Sequence, residues 1–339
     1  MAEPAPGLQL QGLTQIFGPA PQAHLAAVVA GLGRDELRAR HGHTLALRDI
    51  HLQLQGGAVS VVMGLSGSGK STLLRHLNRL IEPTAGRVLC GEVDVTALDA
   101  PALRAFRQRS MAMVFQRFAL LPHRTVLHNV AYALELQGVA TAQREARARH
   151  WLARVGLTGH EQDWPATLSG GMQQRVGLAR ALAADAPVLL MDEAFSALDP
   201  LHRVDMQDLL LDLQRELRKT VVFITHDLDE ALRLADHLVI LRDGAVVQQG
   251  SATHIVLHPA DEQVRRFVRD VNRGRVLRCA ALVRPGAAVA GPTLVAGLPI
   301  AEAARCMAAA GVQQANVCDA SGAHLGTLAL AVVIEQMAA

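Results

Sequence analysis

Apolar residues along this chain follow two periods. Over residues 8–17, Leu-Gln-Leu-Gln-Gly-Leu-Thr-Gln-Ile-Phe, and again over 45–54 they alternate with polar ones, which predicts two half-buried strands. The first reads as an edge strand that ends at Phe17. Near-continuous apolar runs at 59–63, 111–115, 188–191 and 220–225 predict central strands, and the helical stretches between them, such as 203–219, imply that these strands are parallel and covered on both faces. Shorter runs predict a strand pair at 87–93 and a hairpin at 238–248 turned by Arg242-Asp243-Gly244. At 101–109 and 126–156 the apolar residues recur at helical spacing, so a largely helical insertion separates two halves of the sheet. Residues 18–43 form an extra segment between the first two strands, with a helix near 35–40. The pattern predicts an α/β fold: a mixed, largely parallel sheet with an antiparallel edge and a helical subdomain at about 117–180.

The junctions between these elements carry the polar chemistry. The run Val59–Met63 turns through Gly64-Leu65-Ser66-Gly67-Ser68-Gly69-Lys70-Ser71 into a helix that begins Thr72-Leu73-Leu74. A buried strand that passes through glycines into a helix N-terminus is a phosphate cradle, because the free N–H groups of the first turn face an anion. Gly64, Gly67 and Gly69 let the backbone approach phosphate oxygens, Lys70 can reach the β- and γ-phosphates, and the Ser71 hydroxyl suits Mg²⁺. Other apolar runs end in polar groups as well: the 111–115 run at Gln116, the 188–191 run at Asp192-Glu193, and the 220–225 run at His226. An open α/β sheet binds ligands beyond that edge.

Composition narrows the classes of function. With 339 residues and 50% hydrophobic content, the chain is long enough for two domains with a sizeable core. Thirty-three basic residues against 31 acidic ones give a net charge of +2, and only 3% of residues are aromatic, so nucleic acid is not an expected partner. Cys90, Cys279, Cys306 and Cys318 are widely spaced and read as buried free thiols, not as a disulfide framework or a zinc site. No basic residue precedes His24 and prolines recur early, so no secretory signal is expected and the chain should stay in the cytoplasm. The apolar segment 25–32 is far shorter than the ~20 residues of a spanning helix, so a role at a membrane requires another subunit to cross it.

The ordered set of motifs resembles a known family. Leu168-Ser169-Gly170-Gly171-Met172-Gln173-Gln174-Arg175 is similar to the signature motif of ATP-binding-cassette (ABC) ATPases, and the phosphate loop, Gln116, Asp192-Glu193, Ser196-Ala197-Leu198-Asp199 and His226 stand in that family's order. The resemblance covers residues 8 to about 258, roughly three quarters of the chain. It implies a P-loop fold of ABC type that binds ATP through Gly64, Ser66, Gly67, Ser68, Gly69, Lys70, Ser71 and Thr72. Mg²⁺ would be held by Ser71, Gln116 and Asp192. Glu193 would polarise the attacking water, Gln116 would report the γ-phosphate to the transport partner, and His226 would act as the switch histidine. Phe17 occupies the place of the adenine-stacking aromatic. Ser169, Gly170 and Gly171 open the helix 172–184 and would serve the ATP of a second copy, with Asp199 across the same interface, so two subunits close head to tail.

The 18–43 insertion, Asn78–Thr84, Phe118–His123 and Met191–Leu201 narrow the resemblance to the ATPase subunit of glycine betaine/proline importers, whose close relatives carry choline or carnitine. The implied partners are transmembrane permease subunits and, indirectly, a substrate-binding protein, with the chain on the cytoplasmic face of the plasma membrane. An amphipathic tail is expected at 261–275, which closes a first domain of residues 1–275. Beyond it, helical patterns at 300–311 and 331–337 flank strands at 316–318 and 324–329, which resembles a single cystathionine-β-synthase (CBS) motif over 276–339. Where nucleotide-binding versions of that motif carry Thr and Asp, this chain has Ala329 and Val332, which favours a structural or dimerising role over adenosine binding. Arg265, Arg266, Arg269, Arg273, Arg275 and Arg278 form a cationic run that fits either a solvated helix face or an anionic membrane surface.

Overall fold

The computed structural model describes residues 5–116, 118–269 and 271–338, which fall into two compact units, Met1–Gln249 and Gly250–Ala339. The first unit opens with β1 (Leu8–Phe17), passes through α1 (Leu25–Val29) and α2 (Arg34–His41), and returns in β2 (Thr44–Leu54). Then come β3 (Val59–Met63), α3 (Lys70–Leu77), β4 (Ala85–Cys90), β5 (Val93–Asp94), α4 (Ala100–Arg109) and β6 (Met111–Val114). Helices α5 (Val126–Leu136), α6 (Thr141–Arg154) and α7 (Gly170–Ala183) follow. The unit closes with β7 (Val188–Asp192), α8 (Pro200–Leu217), β8 (Thr220–Thr225), α9 (Leu228–Leu234), β9 (His237–Arg242) and β10 (Ala245–Gly250).

Two sheets result. One is six-stranded in the order β10-β9-β3-β8-β7-β6, with β9, β3, β8, β7 and β6 parallel, and the other is four-stranded and antiparallel in the order β2-β1-β4-β5. The main core lies between them, where Leu10, Leu13, Leu52 and Val88 meet Val62, Leu73, Leu190 and Val222. This is the expected mixed architecture, with one correction: β1 pairs with both β2 and β4 and so is not an edge strand. Alternation of side chains tells which face is buried, but backbone N–H and C=O groups on both sides of such a strand are equally free to pair. The 18–43 excursion leaves and rejoins the sheet at neighbouring positions, since Phe17 and Thr44 are register partners, and its own small core joins Val28 and Leu37 to Ile16 and Leu45.

Helices α5, α6 and α7 bury a separate cluster in which Val130, Leu134, Leu152, Val155 and Val176 meet. This matches the helical insertion expected at about 117–180, although Arg117 itself lies outside the described residues. Helices α7 and α8 begin two or three residues before the expected starts because Ser169 and Asp199 cap them: Ser169 Oγ accepts from Met172 N at 3.3 Å and Asp199 Oδ1 from His202 N at 3.2 Å.

The second unit contains α10 (Ala252–Leu257), α11 (Glu262–Phe267), α12 (Arg273–Val276), β11 (Thr293–Val295), α13 (Ile300–Ala309), β12 (Gln314–Cys318), β13 (His324–Ala329) and α14 (Leu330–Ala338). Its sheet, in the order β11-β12-β13, is parallel on one side of β12 and antiparallel on the other. The expected single tail at 261–275 is instead two short helices, because α11 ends at Phe267 and α12 starts at Arg273, capped by Asn272. The second unit also begins earlier than the expected 276, since α12 packs into it: a Cβ at Gly274 would lie 3.1 Å from Ala301 Cβ and 3.2 Å from Met337 Cε. Of the four thiols expected to be buried, Cys90 and Cys279 are, and burial pushes both up to about 11. Cys306, on α13, is exposed and Cys318, at the end of β12, is half-buried.

One buried amide organises the approach to the helical subdomain. Asn129, fully buried, accepts from Leu121 N at 2.7 Å and donates to Leu121 O at 3.1 Å, Arg124 O at 2.9 Å and Thr125 O at 3.1 Å. Asn129→Ala leaves these backbone groups without partners, at an expected cost of about 1–3 kcal/mol, seen as a fall of about 2–8 °C in the melting midpoint. An unchanged midpoint would show that the loop is held by other means.

Candidate functional site

The C-terminal ends of β3, β8, β7 and β6 gather the polar residues singled out in the sequence. The loop from β3 to α3 is closely constrained. A Cβ at Gly64 would lie 2.1 Å from Leu241 O, and one at Gly69, whose φ is +103°, would lie 2.6 Å from Ala46 O. Neither position admits a larger residue, so the loop runs against the strands around it. Gly67, also at positive φ (+77°), has open space where its Cβ would be, and Ser66 is exposed beside it. Lys70 is buried and folds back over the loop, donating to Gly64 O at 2.8 Å and Leu65 O at 3.1 Å. Burial lowers its pKa, an effect opposed by the Glu193 and Asp192 carboxylates. Ser68 is buried with its Oγ unpartnered, while its backbone carbonyl accepts from Gly244 N at 3.0 Å. Thr72, half-buried in the first turn of α3, accepts at its carbonyl from His76 Nδ1 at 2.6 Å.

Ser71 donates to Asp192 Oδ1 at 2.8 Å, and Arg75 NH2 lies 3.6 Å from the other oxygen of that carboxylate. Next to it Glu193 adopts a left-handed backbone, φ +45°, unusual for a residue with a side chain. Its N–H donates to Ile224 O at 3.1 Å, and Ser196 donates from both N (3.1 Å) and Oγ (2.9 Å) to its carbonyl. This turn places Glu193 Oε2 3.1 Å from Gln116 Nε2 and 3.2 Å from His226 Nδ1. Three residues from three strand ends therefore meet at one carboxylate oxygen.

The other expected residues lie away from this centre. Ser169 and Gly170 are exposed at the start of α7, and Gly171 faces His202, whose ring carbon would lie 3.7 Å from an added Cβ. Asp199 is exposed, and its hydrogen bond from His202 Nδ1 at 2.6 Å holds the carboxyl below its usual pKa. Phe17 is 40% exposed at the end of β1. Within one chain these residues do not join the Glu193 cluster. Three participants escaped the sequence reading: Arg75, His202 and Arg34. The first two lie one helical turn from a recognised motif, where spacing alone was a usable signal. Arg34 gave no such signal, because it comes from the 18–43 excursion; it donates to Gly67 O at 3.1 Å and lies 3.6 Å from Asp243.

The site accepts a nucleotide on its chemistry. The glycine positions leave a bare backbone at the turn, the first turn of α3 presents unpaired N–H donors, and Lys70 is a buried cation satisfied by loop carbonyls only. Such a loop, with two adjacent carboxylates at the end of a strand in the same parallel sheet, has the arrangement of an ATP-hydrolysing P-loop protein.

Comparison with known proteins specifies the class. Residues 47–196 match the family described as ABC transporter. The chain is 50% identical over 279 residues to the glycine betaine/carnitine transport ATP-binding protein GbuA of Listeria monocytogenes, covering 82% of this chain and 70% of that one. It is 44% identical to the trimethylamine N-oxide transport system ATP-binding protein TmoW of Ruegeria pomeroyi over 303 residues, 89% of either chain. Among solved structures, a dimeric post-hydrolysis state of the ATP-binding cassette MJ0796 bound to ADP and Pi superposes with a TM-score of 0.62 at 31% identity, covering 72% of this chain and 98% of that one. This chain belongs to the ATP-binding proteins of ABC transporters and is an ATPase. Among the described residues, no helix is long and apolar enough to cross a membrane.

Arg34 offers a local test of the loop. Its side chain is about one-third exposed, so removing one charged hydrogen bond should cost about 0.4–1 kcal/mol. Arg34→Ala is expected to raise the KM for ATP two- to fivefold with kcat unchanged. An unaltered KM would mean that the excursion does not steady the loop.

Proposed function

We propose that this chain powers a membrane importer for glycine betaine, proline or a related quaternary amine such as choline or carnitine. The observation that carries the catalytic part is the convergence of Gln116 and His226 on Glu193 Oε2, beside an Asp192 fixed by Ser71. In this reading Glu193 accepts the proton of the attacking water, His226 and Gln116 orient its carboxylate and sense the γ-phosphate, and Lys70 holds the phosphates. Phe17 packs against the adenine. Ser71 and Asp192, with Gln116, hold Mg²⁺, which neutralises charge on the phosphates; one carboxylate and one hydroxyl leave room in its shell for phosphate oxygens and water.

Ser169, Gly170 and Asp199 are exposed and Gly171 is half-buried beside His202, and none of them is joined to the Glu193 cluster of its own chain, which supports their service to the nucleotide of a second copy. The dimeric state of the MJ0796 cassette supports the pairing of two copies, which in this reading close head to tail. Permease subunits would hold this dimer at the cytoplasmic face of the membrane, with a substrate-binding protein delivering solute from the other side. The solute class rests on the relatives, because GbuA and TmoW are described as carrying compact solutes with methylated nitrogen. The second unit, with its three-stranded sheet and helices α13 and α14, is consistent with one CBS-like motif. Ile334 and Met337 are exposed on α14, which suits pairing between the two subunits.

Glu193→Gln preserves shape and removes the proton acceptor, so ATP binding should persist while kcat falls at least about 100-fold. Hydrolysis at the normal rate would remove Glu193 from its role. For the solute, the assembly reconstituted with its permease should accumulate radiolabelled betaine, choline, proline or carnitine only when ATP is enclosed with the cassettes. ATP-driven uptake of none of the four would reject the solute class while leaving the ATPase assignment standing.

A further inference from the structure

We propose that the second unit carries a binding cleft for a soluble phosphate monoester on an apolar body. Helices α10, α11 and α12 enclose a cavity of about 660 Å³, which is within the range of small-molecule sites. Four guanidinium groups line it, from Arg265, Arg266, Arg269 and Arg273, and among the described lining residues Glu262 is the one carboxylate. Glu262 is already engaged, 2.8 Å from Arg265 and 3.6 Å from Arg266. Among the described residues, Arg269 and Arg273 have no carboxylate partner, and Arg273 Nε is buried without any hydrogen-bond acceptor. Buried donors are seldom left unpaired, so a guanidinium with one unpaired nitrogen, beside three further cations on the cleft wall, is short of an anion at its outer nitrogens.

The rest of the lining decides what kind of anion. Leu257 and Pro259, both half-buried, provide an apolar wall next to the arginines, backed by the buried Val256 and Val268. Free inorganic phosphate would leave that wall wet, whereas a phosphate attached to an aromatic or aliphatic body uses both surfaces. Several guanidinium groups around one cleft can share the three terminal oxygens and the double negative charge of a phosphate monoester, more than the two oxygens and single charge of a carboxylate can satisfy. The sequence alone left an anionic membrane surface open for the same arginines. Four of them line a concavity instead of a flat or convex face, and this favours a small ligand entering singly over a planar array of headgroups. The cleft is separate from the phosphate loop in sequence and in unit, and its ligand goes beyond the ATPase reading.

The test titrates the full-length protein with 1-naphthyl phosphate, and with 1-naphthol as the uncharged analogue, by isothermal calorimetry at low and moderate salt. The phosphate is expected to bind one per chain in the micromolar to submillimolar range, more weakly as salt rises, and 1-naphthol at least tenfold more weakly. Arg269→Gln and Arg273→Gln should each lower the affinity at least fivefold, Arg269→Lys, which keeps the charge and loses the paired donors, should recover only part of it, and Lys70→Ala in the cassette should leave it unchanged. Circular dichroism of each variant separates lost binding from lost folding, and exposed Arg269 keeps the test valid if Arg273 variants misfold. Equal binding of 1-naphthol, or loss of binding with Lys70→Ala and not with the arginine variants, overturns the proposal. So does sedimentation with vesicles of anionic phospholipid that depends on Arg269 while 1-naphthyl phosphate fails to bind, which would assign the arginines to lipid.

Discussion

The bond from Ser71 to Asp192 is the constraint on which the rest of the cassette depends. It spans 121 residues of sequence and only 2.8 Å of space, and it joins the helix that follows the glycine loop to the end of the strand that leads into Glu193. Both partners are fixed by their elements. Ser71 lies in the first turn of α3, whose position follows from the glycine turn pressed on Leu241 and Ala46, and Asp192 closes a strand buried along its whole length. A displacement of either element would separate phosphate binding from hydrolysis. The parallel order of β3, β8 and β7 brings the two ends together, because parallel neighbours present the same terminus on the same side.

A carboxylate placed on a strained turn is expensive unless its surroundings hold it. Glu193 has a left-handed backbone, yet Ile224 accepts from its N–H and Ser196 donates twice to its carbonyl. Gln116 and His226 then meet the side chain from separate strands. The site is therefore held by neighbours drawn from three parts of the sheet, and movement of the helical subdomain that follows Gln116 reaches Glu193 through a single hydrogen bond.

Much of this was legible in the sequence because the chemistry sits at element ends. Apolar runs located β3, β7 and β8 within a residue or two, and the glycine turn or polar residues that follow each run lie where the candidate site assembles. Caps were less visible: Ser169 and Asp199 lengthen α7 and α8 through hydrogen bonds that periodicity does not register. The place of β1 inside its sheet was hidden because backbone pairing leaves no mark on side-chain alternation. Arg34 and the arginine cleft depend on tertiary approach, and no local spacing announces it. The cationic run was plain as a run, but its concavity arises only because α11 stops at Phe267 and α12 starts afresh at Arg273.

The register pairing of Phe17 with Thr44 has a consequence for how such a chain can change over time. Since the excursion between them departs and returns at adjacent points of one sheet, its length is uncoupled from the geometry of every strand. Loop closure becomes less favourable by only about 0.6 kcal/mol for each doubling of loop length, so this gap can shrink, grow or be exchanged at small energetic cost. It is a docking bay for accessory sequence placed beside the phosphate loop, where new contacts such as that of Arg34 can tune nucleotide affinity without any revision of the catalytic core.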